Sequence, residues 1–260
     1  KLGQPMINVA LVRNWGTVDF FILTGFRERT FSGEKGRPNS LIGVRTKEPI
    51  FESASEKNHI DYAVRYSTYG DFFDFGIYHF WGTSREPSFV QSVDSSSAVS
   101  IKPFYEIIHQ TGIDFQATAG NTLYKFESIR RSSEVTCYYA FVGGFEHTLV
   151  GLNNTTTDLG FLMEYSWDER GKVSTSIFNN DIFIGNRFSF NDTNDTNILA
   201  GVLYDLSSDS HAVSVEMSRR LRNNFKLEIE LRLFQSSQPN DPLHRSNRDD
   251  YLQIEIFKYF

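Results

Sequence analysis

The sequence predicts an all-β protein: a transmembrane antiparallel up-and-down β-barrel of about 12–16 strands. Three observations predict it. Segments of about ten residues alternate apolar and polar side chains at a period of two. The connections between them alternate between tight and long. The last segment, Tyr251–Phe260, is one more alternating run and ends on an aromatic residue.

Bulk composition is consistent with this reading. The chain has 260 residues, net charge -6, 24 Phe and 12 Tyr. Mean hydropathy is -0.36, and no run approaches the roughly 18–20 consecutive apolar residues of a membrane-spanning helix. Barrel strands escape that test because apolar and polar residues average out. The acidic balance argues against a nucleic-acid partner. One cysteine, Cys137, excludes an intramolecular disulfide. The chain starts at Lys1 without a signal peptide, as expected of a processed or shortened secreted protein.

Phe225–Phe234 shows the alternation most clearly. Phe225, Leu227, Ile229, Leu231 and Leu233 share one face; Lys226, Glu228, Glu230 and Arg232 share the other. A helix would spread those charges around its cylinder and leave no apolar stripe. The same reading gives strands at Met6–Arg13, Thr17–Phe26, His59–Ser67, Asp71–Trp81, Tyr105–Thr118, Thr122–Arg131 and Val135–Val150. Leu159–Trp167, Asp181–Asn191, Asn197–Asp205, His211–Arg220 and Tyr251–Phe260 follow, about 13 strands in all. The chain reads as a single domain, 1–260, without linker or helical segment.

Tight connections fall at Asn14-Trp15-Gly16, Tyr69-Gly70, Gly120-Asn121, Asn191–Thr196 and Arg222-Asn223-Asn224. Between them lie the longer Arg27–Asn58, Gly82–Pro103, Asp168–Asn180 and Gln235–Arg248. Short periplasmic turns opposite long external loops are the habit of outer-membrane barrels. The short connections at Ser132-Ser133 and Ser207–Ser210 depart from the pattern. The long loops Arg27–Asn58 and Gly82–Pro103 either fold inward or stay outside.

In the last segment Leu252, Ile254, Ile256 and Phe260 share a face with Lys258, which must snorkel to the interface. Gln253, Glu255, Phe257 and Tyr259 share the other. A final aromatic on such a strand resembles the closing strand of Gram-negative outer-membrane proteins, where it serves the barrel-assembly machinery. Trp15, Trp81, Trp167, Tyr259 and Phe260 are the candidate interface aromatics.

Inward projection of the alternation gives the candidate lumen. Its acidic members are Asp19, Asp61, Asp114, Glu127, Glu146, Glu164, Asp205, Glu216, Glu228, Glu230 and Glu255. Its basic members are Arg65, Lys125, Arg187, Lys226 and Arg232. Such charges need water or each other. They either line a passage for small polar or charged solutes or pair to hold a filled interior.

No nucleophile motif, metal-ligand spacing or phosphate loop stands out, so neither catalysis, a metal nor a cofactor is expected. His79, His109 and His147 fall on the lipid side by parity. Ion pairing within Asp168-Glu169-Arg170 and Ser84-Arg85-Glu86 is expected to shape the loops that hold them. The alternative to a channel is a structural or interaction barrel that displays loops or holds a partner.

Several segments are distinctive: Gly25–Phe31 (GFRERTF), His79–Pro87 (HFWGTSREP), Tyr105–Phe115, Asp158–Gly171 and Phe178–Gly185. Through most of its length the chain resembles a family of poorly characterised proteobacterial outer-membrane proteins, broadly porin-like. The resemblance implies a Gram-negative outer-membrane location, contact with lipid and lipopolysaccharide, and self-association as in many porin-like barrels. Family members carry sequence upstream of the region matching Lys1. Because single-chain barrels have even strand numbers, the odd count points to one or more closing strands upstream.

Overall fold

The computed structural model describes residues 3–31, 48–93, 99–174, 176, 178–222, 224–238 and 241–260. Their secondary structure is β-strand, with short 3-10 turns and no α-helix among the described residues. The strands are β1 (Met6–Arg13), β2 (Gly16–Leu23), β3 (Ile50–Phe51), β4 (Asp61–Tyr69), β5 (Phe73–Thr83), β6 (Ser88–Val93), β7 (Val99–Tyr105) and β8 (Ile107–Ala119). They continue with β9 (Thr122–Ser132), β10 (Cys137–Leu149), β11 (Asp158–Asp168), β12 (Asn180–Ser189), β13 (Asn197–Asp205), β14 (His211–Arg222), β15 (Phe225–Gln235) and β16 (Tyr251–Lys258).

Thirteen of these form one large antiparallel sheet in the order β1-β2-β4-β5-β8-β9-β10-β11-β12-β13-β14-β15-β16. Every strand expected from the alternation has its counterpart there. The edges β1 and β16 are paired on one side only. The other three strands form a small sheet, β3-β7-β6, with β3 parallel to β7 and β6 antiparallel to it.

The small sheet corrects the sequence reading in three places. The connections Arg27–Asn58 and Gly82–Pro103 are not plain loops, because β3 from the first pairs with β7 at the end of the second. The run Tyr105–Thr118 is split at Glu106, so Tyr105 closes β7 and Ile107 opens β8. Phe26 leaves β2, which ends at Leu23. Its ring packs edge-on against Phe51 at 5.7 Å and Tyr105 at 4.9 Å.

The chain folds as two compact units, Lys1–Phe115 with Glu127–Tyr139 and Gln116–Phe126 with Ala140–Phe260. In the first unit the buried apolar residues are Phe26, Tyr105, Ile108 and Tyr138. They lie where the long connections pack onto the polar-face end of the strands, together with the fully buried Pro87 and Pro103. The 24–31 and 84–87 segments therefore fold onto that face. Ser84 N donates to Glu106 O at 2.7 Å, and Ile107 N to the Glu52 carboxylate at 2.6 Å.

In the second unit the register from β11 to β16 breaks only at a bulge between Arg220 and Arg222 among the printed pairings of these strands, and it draws two adjacent rows. Leu159, Phe188, Ile198, Met217, Ile229 and Ile254 are successive cross-strand partners; so are Gly160, Arg187, Leu199, Glu216, Glu230 and Gln253. Cross-strand partners share a face and neighbouring rows take opposite faces. The first face is a continuous apolar surface with exposed members, among them Phe161, Ile184, Val202 and Ile254. The second face carries the charges. Its Phe183 ring lies over Gly185 and Gly201, where a Cβ would displace it.

The first unit has the same two-sided character. Ile7, Ile22, Tyr62 and Trp81 are one apolar row; Ala10, Asp19, Arg65 and Tyr78 are a polar one. The hairpin between β8 and β9 turns through Gly120, whose φ of 57° is the left-handed conformation that glycine adopts without strain.

Candidate functional site: the polar face of the sheet

In the first unit the polar face is organised around Arg65. Its guanidinium meets Asp114 with two parallel hydrogen bonds of 2.8 Å, a fork geometry suited to a carboxylate. Asp19 is the cross-strand partner of Arg65 and accepts from Asn8 at 3.3 Å. The pair sits over Gly76, where an added Cβ would run into both side chains. Glu127 joins Arg65, Tyr78 and Asp114 around an open concavity of about 300 Å³.

A second chain of contacts holds the segment after β5 to this face. Arg131 donates to Gln110 at 2.8 Å and to Glu86 at 2.9 Å, and Gln110 donates to the Tyr78 hydroxyl at 2.8 Å. Sequence reasoning left Arg131, Gln110 and Glu86 out of the site. The parity of Lys125 and Glu127 on the same strand already places Arg131 on the polar face.

Asp61 is a correction. Projected as a lumen residue, it is 1% exposed at the loop end of β4. It accepts from Thr83 N at 2.9 Å, Arg85 at 2.5 Å and His59 at 2.7 Å. The Arg85 guanidinium also lies over the rings of Phe26 and Phe80, 5.0 and 5.4 Å from their centroids. Asp61 anchors the segment after β5 and faces no open space. The Arg85 pair reaches back to β4, beyond the local loop pairing expected of Ser84-Arg85-Glu86. Nearby, burial pushes the Glu106 carboxyl above its usual range, against the opposing bond from the Ser133 hydroxyl.

In the second unit Glu146 accepts from Arg187 at 3.0 Å, across Gly160. Arg232 bonds both Glu216 and Glu230, and Tyr251 also donates to Glu230. Lys226 pairs with Glu228 at 2.7 Å. Glu228 is also the direct cross-strand partner of Glu255, which sets two carboxylates opposite each other. Glu216, Glu228, Glu230, Glu255 and Arg187 line an open concavity of about 290 Å³. Glu164 sits in line with Gly144 and Phe183. Lys125 is exposed on β9. Asp205 is 5% exposed at the end of β13 and belongs to a separate buried cluster.

The aromatic candidates lie on or beside the apolar face near strand ends. Trp15 lies 5.8 Å from the Tyr66 ring, and Tyr66 donates to its carbonyl at 2.8 Å. Trp81 stacks on Tyr62 at 5.7 Å, and Trp167 meets Phe141 at 5.5 Å. Tyr259 and Phe260 follow β16 and are exposed. Lys258 leans its ammonium over the rings of Phe225 and Phe260, at 5.9 and 4.7 Å, a cation–π contact.

The histidines on the apolar face find hydroxyls. His79 is 2.9 Å from Thr111 Oγ1, and His147 is 2.8 Å from Thr122 Oγ1. Neither pair includes a carboxylate that would orient the imidazole as a base. Among the described residues no three His, Cys, Asp or Glu side chains are grouped to hold a metal ion. No family model, curated protein or solved structure matches the chain.

Proposed function

We propose that the protein is an outer-membrane β-barrel that passes small polar or charged solutes along its charged face. The observation that carries this is the division of one sheet into two faces. An exposed apolar surface of this extent is a liability in water and a requirement in lipid. Strands of 8–13 residues in the large sheet bracket the roughly 9–11 residues of a tilted membrane-spanning β-strand. Trp15, Trp81 and Trp167 with their aromatic neighbours supply the interface anchors.

The charged face supports passage because its groups are fixed laterally and keep open hollows between them. Arg65–Asp114, Arg187–Glu146 and Arg232 with Glu216 and Glu230 set fixed dipoles along the wall. Around Glu228 and Glu255 the negative sign dominates, which favours cations and cationic solutes. The resemblance to porin-like outer-membrane proteins supports the same reading. Lipid, lipopolysaccharide and the assembly machinery that reads the C-terminal strand are the proposed partners, and self-association fits a porin-like barrel. No catalytic step and no cofactor is part of this function.

Reconstitution in a planar bilayer tests it. The full-length folded protein is expected to give discrete, salt-dependent conductance steps with cation preference; a folded, inserted protein that leaves the bilayer silent overturns the reading. Silence would favour a second one, a structural barrel that displays or holds a partner. The observation behind that alternative is the packed core of Phe26, Tyr105, Ile108 and Tyr138, which covers the polar-face end of the first unit.

A further inference from the structure

The cations of β14, β15 and β16 divide between the two faces at the turn end of these strands. On the polar face Arg220 and Lys226 are cross-strand partners, and each has an acidic neighbour. Asp195 lies 3.7 Å from Arg220, and Glu228 lies 2.7 Å from Lys226. On the apolar face stand Arg219, Arg222 and Lys258. Arg219 is the partner of Leu227, and Arg222 and Lys258 are the two partners of Phe225. Among the described residues none of these three makes an ion pair or a side-chain hydrogen bond. The Asp192 charge reaches Arg219 from the turn before β13. That carboxylate is already taken up by the Thr196 amide and hydroxyl, both at 2.8 Å.

The backbone departs from a regular ladder to put a cation on this face. The register shifts between Arg220 and Arg222. An unbroken ladder would set Leu221, an ordinary apolar partner, opposite Phe225. The extra residue sets Arg222 there instead, which is how a bulge re-aims a side chain. Lys258 meets the same ring from the other side, with its ammonium 5.9 Å from the Phe225 centroid and 4.7 Å from that of Phe260. Arg222 and Lys258 flank Phe225 across two strand spacings, about 10 Å, a gap that two long side chains can close onto one ligand. Both are exposed, and Arg219 is half-buried. Ile254 and Ile256 continue the same face, 60% and 63% exposed.

Charges on a lipid-facing surface must reach a polar partner, and near the rim they do so at the headgroups. We infer that Arg219, Arg222 and Lys258 hold the headgroup phosphate of an anionic glycerophospholipid, whose acyl chains lie along Ile254 and Ile256. Unpaired positive charge calls for an anion, and the exposed apolar strip beside it calls for hydrocarbon. A free phosphate would use the charges and leave the strip uncovered. The inference rests on the outer-membrane reading, because it needs this face to meet lipid. In that reading the tight turn between β14 and β15 is periplasmic, in the leaflet built of glycerophospholipid.

The test uses the full chain with Cys137→Ser, folded into phosphatidylcholine vesicles. A bimane fluorophore is attached at Ile256→Cys, beside the site, or at Val202→Cys, on the same face of β13. Quenching is compared for small equal fractions of nitroxide-labelled phosphatidylglycerol and nitroxide-labelled phosphatidylcholine. At residue 256 phosphatidylglycerol is expected to be enriched about fivefold at low salt, and much less at high salt. At residue 202 the two lipids should quench alike. Arg222→Gln combined with Lys258→Gln is expected to abolish the preference at residue 256, while Arg222→Lys keeps it. Unchanged quenching by phosphatidylcholine shows that each variant is folded and inserted. Equal quenching by both lipids at residue 256 of the otherwise unaltered chain overturns the site and leaves the membrane reading standing. So does a preference that the double glutamine variant retains. Quenching by neither lipid at either position overturns the site and the membrane reading together.

Discussion

Two buried aspartates at strand ends have opposite surroundings. Asp61 in the first unit and Asp181 in the second are each 1% exposed. Asp61 is met by Arg85, His59 and the Thr83 amide. Asp181 is met by two backbone amides and by the negative charges of Asp205 and Asp241. The difference teaches what each loop region does. Around Asp61 the charge is neutralised from within, and the connections are locked to the sheet by Arg85 and by Glu86 with Arg131. Around Asp181 two backbone amides are the hydrogen-bond partners, and among the described residues no cationic side chain pairs with it.

The comparison breaks most visibly at Arg85. Arg85→Ala strands a buried carboxylate, and urea titration of the folded protein in micelles should show a loss of about 2–3 kcal/mol. That lies below the 3–5 kcal/mol of a fully buried pair because Arg85 is a third exposed. Gly76→Ala should cost about 1–2 kcal/mol by the same titration, since its Cβ pushes apart Arg65 and Asp114. Asp181→Asn is expected to act in the opposite direction from Arg85→Ala. It should gain about 1 kcal/mol by the same titration. Its oxygen can keep the two amide bonds while its NH2 replaces the unpartnered Oδ1 and turns toward the neighbouring carboxylates.

The smallest effect concerns pH. Glu106 titrates above its ordinary value because burial disfavours the charged form. The folded state therefore holds its proton more tightly than the unfolded state. Between the ordinary and the raised value, stability rises as pH falls and is lost again as pH rises. Glu106→Gln should flatten that part of the pH–stability curve and stabilise the protein slightly at neutral pH. An unchanged slope would show that Ser133 and Arg131 compensate its burial fully.

The large sheet was readable in the sequence because period-two alternation is local, as in Leu227-Glu228-Ile229-Glu230, and each residue states its own face. The division of each strand into a polar and an apolar face followed from the same rule. The small sheet was not readable. β3 is two residues long, and its partner β7 lies about fifty residues further on, so neither carries a pattern of its own. Asp61 was misassigned because parity gives a face but not a depth: it lies at the strand end where Arg85 and Thr83 fold back. Asp181 and Asp205 come from the ends of two strands and Asp241 from a connection, and no spacing joins them. Arg131 was missed although its parity was available, because it stands close to the end of its strand.

In the proposed outer-membrane barrel, alternate residues of one strand meet lipid and water. Spin labels placed singly from Lys226 to Leu233 on β15, in the protein reconstituted in bilayers, measure this by collision with oxygen and with a water-soluble nickel chelate. A period of two is expected, with oxygen access highest at Leu227, Ile229, Leu231 and Leu233 and nickel access highest at Lys226, Glu228, Glu230 and Arg232. Uniform nickel access on both faces would contradict it.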